Sequence, residues 1–160
     1  MQALTSEDVR RALNATPFEF EILHCDEPTP TSADAARVIG CEVGQIAKSI
    51  CFLVNGEPVL VVASGDQQVD DRKIAAIYQV GRKKVKLAKP EECIAIYGYA
   101  PGGVPPIGHR TPHIRIYLDV MLKRYPVVYA AAGSAHDNFG LTISQLEHIT
   151  NGTWAEVARD

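Results

Sequence analysis

The chain reads as α+β, with a mixed, curved sheet of about seven strands set among about five short helices. Three observations point there. Asn55-Gly56 stands between two apolar runs, the strongest short signal for a β-hairpin. Capped helical stretches interrupt the strand-like runs at irregular intervals, so hairpins mix with helical crossovers. No internal repeat, low-complexity tract or linker divides the chain, so residues 1–160 read as one domain.

The elements follow in order. Thr5 or Ser6 caps a first helix, Glu7 and Asp8 suit its N-terminal dipole, Val9 and Leu13 share its inner face, and Pro17 ends it. Phe18–Leu23 alternates and reads as a strand. Ser32 caps a second helix that Gly40 stops in the left-handed conformation. Gln45–Val54 and Pro58–Ala63 form the hairpin. Asp70 and Asp71 open a helix with Ile74, Ile77 and Tyr78 inward, closed by Gly81. Lys84–Leu87 is a short strand, and Pro90 starts a helix with Glu91 and Glu92 in its first turn. Ile114–Leu118, Val127–Ala130 and Leu141–Ile143 are strands, and Ser144–Glu147 resembles a capping box opening a last helix.

Composition narrows the function classes. A hydrophobic content of 46%, a charged content of 22% and a net charge of −3 fit a globular domain that buries a core without staples. That charge argues against nonspecific coating of nucleic acid, while leaving room for a local basic patch. Cys25, Cys41, Cys51 and Cys93 form no CxxC pair or zinc-ribbon spacing and read as free thiols, Cys51 and Cys93 as buried ones. The N-terminus has no basic-then-apolar leader, and no apolar run reaches the ~20 residues that span a bilayer. A cytoplasmic protein that does not enter a membrane is expected.

Lys48 is the most informative residue. It stands just before the apolar run Cys51–Val54, and a lysine against apolar surface is expensive to desolvate without a partner. It is either a cation for a phosphate or developing oxyanion, or a lysine snorkelling at a strand edge. Pro101-Gly102-Gly103-Val104-Pro105-Pro106-Ile107-Gly108 is the second signal. Glycines let backbone N–H groups approach a ligand and prolines stiffen the loop, so Gly102 and Gly103 are candidates for an oxyanion hole, against the alternative of a rigid surface turn. Ser64, Gly65, Asp66 and Asp119 end strands, where they act as caps or site residues. Gly133 brings backbone close to a ligand or simply turns the chain. Arg82, Lys83 and Lys84, with Lys86 and Lys89, form a basic cluster suited to phosphates or to solvent. His109 and His113 are four apart, but Pro112 between them forbids the helix a metal pair would need. His24, His136 and His148 are isolated, and no nucleophile elbow, zinc motif, P-loop or dinucleotide fingerprint occurs. Chemistry at this site would use neither a protein nucleophile, a metal nor a cofactor.

The order Ala35–Cys41, Gln45–Ile50, Ser64-Gly65-Asp66, Gly102–Gly108, Tyr117-Leu118-Asp119 and Gly133 resembles the YbaK/prolyl-tRNA synthetase-associated editing domain family over roughly residues 20 to 150. The resemblance implies a barrel-like mixed sheet packed with helices. It also implies hydrolysis of the ester joining a wrong amino acid to the 3′ end of a tRNA, in trans, on errors of a synthetase such as prolyl-tRNA synthetase. The family lysine corresponds to Lys48, and the GxxxP loop to Gly102 and Pro106. Ser64, Gly65, Asp66, Asp119, Gly133 and His136 become substrate-binding candidates, and Arg82, Lys83 and Lys84 tRNA-binding ones. Gly133–Phe139 departs from alanine-editing relatives, and no Arg-Arg pair of the cysteine-editing kind follows the late glycine. The amino acid removed and the oligomeric state therefore stay open. A non-catalytic module binding aminoacyl ends and a hydrolase of other amino esters are the alternatives.

Overall fold

The computed structural model describes residues 1–160. Helix α1 (Ser6–Asn14) is capped by Thr5, whose N–H donates to the Asp8 carboxylate at 2.7 Å. Its Val9 and Leu13 are buried as the spacing predicts. Strand β1 covers only Ile22–His24. Phe18 and Phe20 leave the strand path to form an edge-to-face chain ending on Phe139, with ring centres 6.0 and 5.6 Å apart. Helix α2 (Ser32–Ile39) is capped one residue earlier than expected, by Thr31, which accepts the Asp34 N–H at 3.1 Å, and Gly40 (φ +86°) closes it.

Strands β2 (Ile46–Val54) and β3 (Glu57–Ser64) are the expected hairpin, turned by Asn55 and Gly56, both with positive φ. Helix α3 (Asp71–Tyr78) starts at the Asp70 cap, but Gln79 (φ +55°) closes it rather than Gly81, and Ile77 stays 41% exposed. Only Ile74 and Ala75 of that helix are fully buried, because its eight residues present a narrow stripe to the sheet. Strand β4 (Val85–Leu87) follows a 3₁₀ turn. Helix α4 (Pro90–Glu92) runs into a π-helical turn, Cys93–Tyr97.

Strands β5 (Arg115–Asp119) and β6 (Val127–Ala131) fall where expected, whereas β7 (Asp137–Thr142) begins four residues before the expected Leu141, where its pairing with β6 and β1 starts. Helix α5 (Ile143–Thr150) takes Thr142 and Gln145 as its capping box, two residues before the predicted one, so Ile143 is helical. An eighth strand, β8 (Thr153–Ala155), was not expected; its one large apolar residue gives no local pattern, and parallel pairing with β5 defines it.

The strand order is β1-β7-β6-β2-β3-β5-β8, with β4 beside β2, and the sheet stays open rather than closing as a barrel. β3 is buried on both faces. Leu60 and Val62 enter the larger core with Leu118, Val128 and Phe139, while Val59 and Val61 enter the smaller one with Phe52, Ile74 and Tyr117. Alternate residues of one strand thus enter two cores.

The outer edge of β2 positions the site. β6 pairs with it at Ile46 and Ala47, and β4 pairs with it from Phe52 to Val54. Between them Lys48–Cys51 has no strand partner on that side, apart from the Cys51 carbonyl accepting Ala88 N–H at 2.9 Å. The sheet opens there.

Candidate active site

A cleft of about 360 Å³ fills this opening. Ile46–Ile50 form one wall, the start of α2 with Thr29 and Thr31 another, and Gly102 and Val104 of the glycine-proline loop a third. Asn138 closes the side toward β7. No Asp, Glu, His or Cys lines the cleft, and Lys48 is its one charged side chain.

Lys48 is half-buried, and its Nζ donates to the Gln67 carbonyl at 2.8 Å. Burial pulls its pKa down, partly opposed by the carboxylates of Asp119 and Asp66. The lysine is therefore tethered by a neutral carbonyl, with the Asp119 and Asp66 carboxylates near enough to favour its charge but not in an ion pair with it.

The glycine-proline loop is held from several sides. Gly102 adopts φ +90°, and Gly103 donates its N–H to Ala100 O at 3.1 Å. Gly133 donates to Gly103 O at 3.0 Å. Behind the loop, Tyr99 Oη donates to Gly108 O and His109 Nε2 bonds Pro105 O at 2.7 Å. Burial holds His109 below the usual imidazole pKa, so Nε2 serves as a neutral donor. The expected Gly102–Gly103 amide pair is thereby corrected: Gly103 spends its N–H inside the turn and does not line the cleft. Gly102 and Val104 do line the cleft, and their N–H groups have no partner within the protein.

The other sequence candidates separate. Ser64, Gly65, Asp66 and Asp119 gather behind Lys48 rather than in the cleft. Asp119, fully buried at the end of β5, accepts N–H groups from Ser64 at 3.1 Å and Met121 at 2.9 Å. Ser64 Oγ donates to Gly44 O at 2.6 Å. Arg124, which no local pattern announced, grips Asp66 through two bonds of 3.0 and 2.7 Å. That guanidinium holds the Asp66 carboxyl down at about 2. Gly65 lets the chain pass α2, because a Cβ there would collide with Val43 O and lie 2.8 Å from Ser32 Cβ. The group braces the floor under Lys48.

Gly133 (φ +99°) packs on α1, where a Cβ would lie 2.9 Å from Ser6 N, so the close approach is to protein, not to the cleft. Pro106 lies in a separate groove with His113 and Asn151. His136 also lies outside the cleft: its Nδ1 is 2.8 Å from Cys25 O and its ring stacks on His24 at 5.8 Å. Sequence reasoning missed Thr29 and Asn138. The Thr29 hydroxyl donates to Ala135 O at 2.8 Å and accepts from Asn138 Nδ2 at 3.3 Å, a pairing of residues far apart in sequence with no local signature.

Lys83, Lys84, Lys86 and Lys89 rim a shallow groove around Leu87, which is 65% exposed. Arg82 is instead paired with Asp71 at 2.9 Å. Because β4 sits on the same edge of β2 as the cleft, the groove begins about five residues from Lys48, or ~16 Å along the strand.

Comparison with known proteins gives the family and the fold. A family model described as an aminoacyl-tRNA editing domain matches residues 26–149, and the chain belongs to that family. It is 32% identical over 159 residues to "Uncharacterized protein YwhH" of Bacillus subtilis, covering 98% of this chain and 99% of that one. It is 30% identical over 128 residues to the "Putative Cys-tRNA(Pro)/Cys-tRNA(Cys) deacylase EbsC" of Enterococcus faecalis, covering 79% and 76%. A proline–tRNA ligase of Bacillus pumilus matches at 29% over 81% of this chain but 23% of its own length. Among solved structures, a "putative trans-editing enzyme for prolyl tRNA synthetase" superposes with a TM-score of 0.91 at 32% identity over all of both chains.

Proposed function

We propose that the chain is a deacylase that hydrolyses, in trans, the ester of mischarged tRNA, with tRNA(Pro) carrying Ala, Cys or another small amino acid as the substrate. The carrying observation is one cleft lined by a lysine outside any ion pair and by Gly102 and Val104, whose backbone N–H groups have no partner in the protein. Family membership supplies the substrate class. The reaction belongs to the cytoplasm, correcting errors of prolyl-tRNA synthetase.

The ester carbonyl sits against the N–H groups of Gly102 and Val104, which stabilise the oxyanion as it forms. Lys48 holds the terminal phosphate or ribose and offsets the developing charge. Water attacks the carbonyl carbon, the bond to the ribose oxygen breaks, and that oxygen leaves protonated as a hydroxyl. The cleft has no carboxylate, imidazole or thiol to take the water's proton. The substrate relays the proton: the vicinal ribose hydroxyl, or the thiol when the amino acid is cysteine, takes the water's proton as it gives its own to the departing ribose oxygen. The Lys83–Lys89 groove takes acceptor-stem phosphates, which position without reading sequence.

The test is a deacylation panel on tRNA(Pro) charged with alanine, cysteine, serine or proline. Rapid loss of one mischarged species with proline spared establishes editing and names the amino acid. Binding of charged tRNA with every ester intact would instead identify a non-catalytic module.

A further inference from the structure

Along β2, Ala47, Ser49 and Cys51 point to one face, and Ile46, Lys48 and Ile50 to the other. Ala47 and Cys51 join the larger core, which also contains Val104. Ser49 therefore lies on the loop side of the cleft, opposite Lys48. Its hydroxyl is buried and has no hydrogen-bond partner. The other buried polar side chains of the cleft are engaged: Thr29 with Ala135 and Asn138, and Asn138 with Thr29. The one other unpaired buried hydroxyl, on Tyr78, is remote from the cleft, beside Tyr117.

A buried hydroxyl without a partner is unfavourable, and a valine would suit a strand facing Val62 better. We propose that the Ser49 hydroxyl completes the oxyanion site, donating to the reacting carbonyl oxygen alongside the N–H groups of Gly102 and Val104. The inference rests on the deacylase reading and assigns Ser49 as a third donor and a catalytic residue. No protein group takes this hydroxyl's hydrogen bond, so a bond to substrate displaces no internal one and strengthens as charge builds on the oxygen.

Ser49→Ala, Ser49→Thr and Ser49→Val test it, with saturating deacylation rate, KM and melting temperature measured for each. Threonine and valine differ only in hydroxyl against methyl. The expected result is a rate lowered by about 10²-fold in the Ala and Val variants, with KM little changed. Threonine keeps a near wild-type rate, and the Val variant melts no lower than the Thr variant. An active wild type with an equally fast Ala variant overturns the Ser49 role and leaves the deacylase reading intact. A slow Ala variant that also melts well below wild type makes Ser49 structural, and a raised KM at unchanged rate makes it a ground-state contact; either overturns the proposal. A wild type that hydrolyses no mischarged tRNA removes the deacylase reading and this role with it.

Discussion

Gly133 donates its backbone N–H to the carbonyl of Gly103 at 3.0 Å, and neither glycine has room for a Cβ. This bond fastens the glycine-proline loop to the β6–β7 connection, and so fixes the stretch that carries Gly102 and Val104 beside the cleft. Preorganisation of this kind spares reorganisation at the moment of reaction.

Gly102→Ala and Gly103→Ala should therefore separate. At Gly103 a Cβ meets Ser134 Cα at 2.9 Å and Gly133 carbon at 3.1 Å, both backbone, so the loop must shift. At Gly102 nothing lies nearer than 3.8 Å, and only the φ of +90° opposes a side chain. Gly102→Ala should lose ~1–2 kcal/mol in urea melts. Gly103→Ala should lose more and slow deacylation at least about 10²-fold by displacing the donors. Equal stability of the two variants would contradict the packing described.

The Arg124–Asp66 pair makes an acid-stability prediction. Asp66 is depressed from 3.8 to about 2, chiefly by its hydrogen bonds to Arg124. Its contribution is fully present above pH 3.8 and fades as the pH falls toward about 2, where the folded carboxylate takes up its proton. Asp66→Asn should melt below wild type at pH 6, with the gap narrowing below pH 4. The pair is partly solvent-exposed, so the gap is modest. A gap independent of pH would rule out the ion pair as its source.

The basic groove predicts a split between binding and chemistry. Lys83→Glu with Lys86→Glu should raise KM for charged tRNA and leave the saturating rate close to wild type. Each lost phosphate contact should also flatten the plot of log affinity against log salt by ~0.7–0.9. An unchanged salt slope would place the acceptor stem elsewhere. Arg82→Ala should do less, because that guanidinium already serves Asp71.

Much of this fold was legible because its signals are local. The Asn55-Gly56 turn, the Val9 and Leu13 spacing and the left-handed Gly40 each depend on neighbours within one turn or hairpin. β8 and Arg124 were not legible, since parallel pairing with β5 and the grip on Asp66 join residues far apart in sequence. The site divided in the same way. Lys48 and Gly102 stood out as a cation before an apolar strand and a glycine in a stiff loop. Ser64, Gly65, Asp66 and Asp119 were legible as a group but not as a floor, because only the packed structure shows Asp119 turned to the Ser64 and Met121 N–H groups. Gly103 and Gly133 read as ligand-facing, and the structure turns them toward each other.

The most direct test of the account is the deacylation rate of mischarged tRNA(Pro) by wild type against Lys48→Ala, under single-turnover conditions with enzyme in excess. Lys48 is tethered only to the Gln67 carbonyl, so its removal should leave the fold intact. The account predicts rapid ester loss with wild type and a rate lowered by at least about 10²-fold in the variant, at a similar melting temperature. A folded Lys48→Ala protein that deacylates as fast as wild type would contradict it.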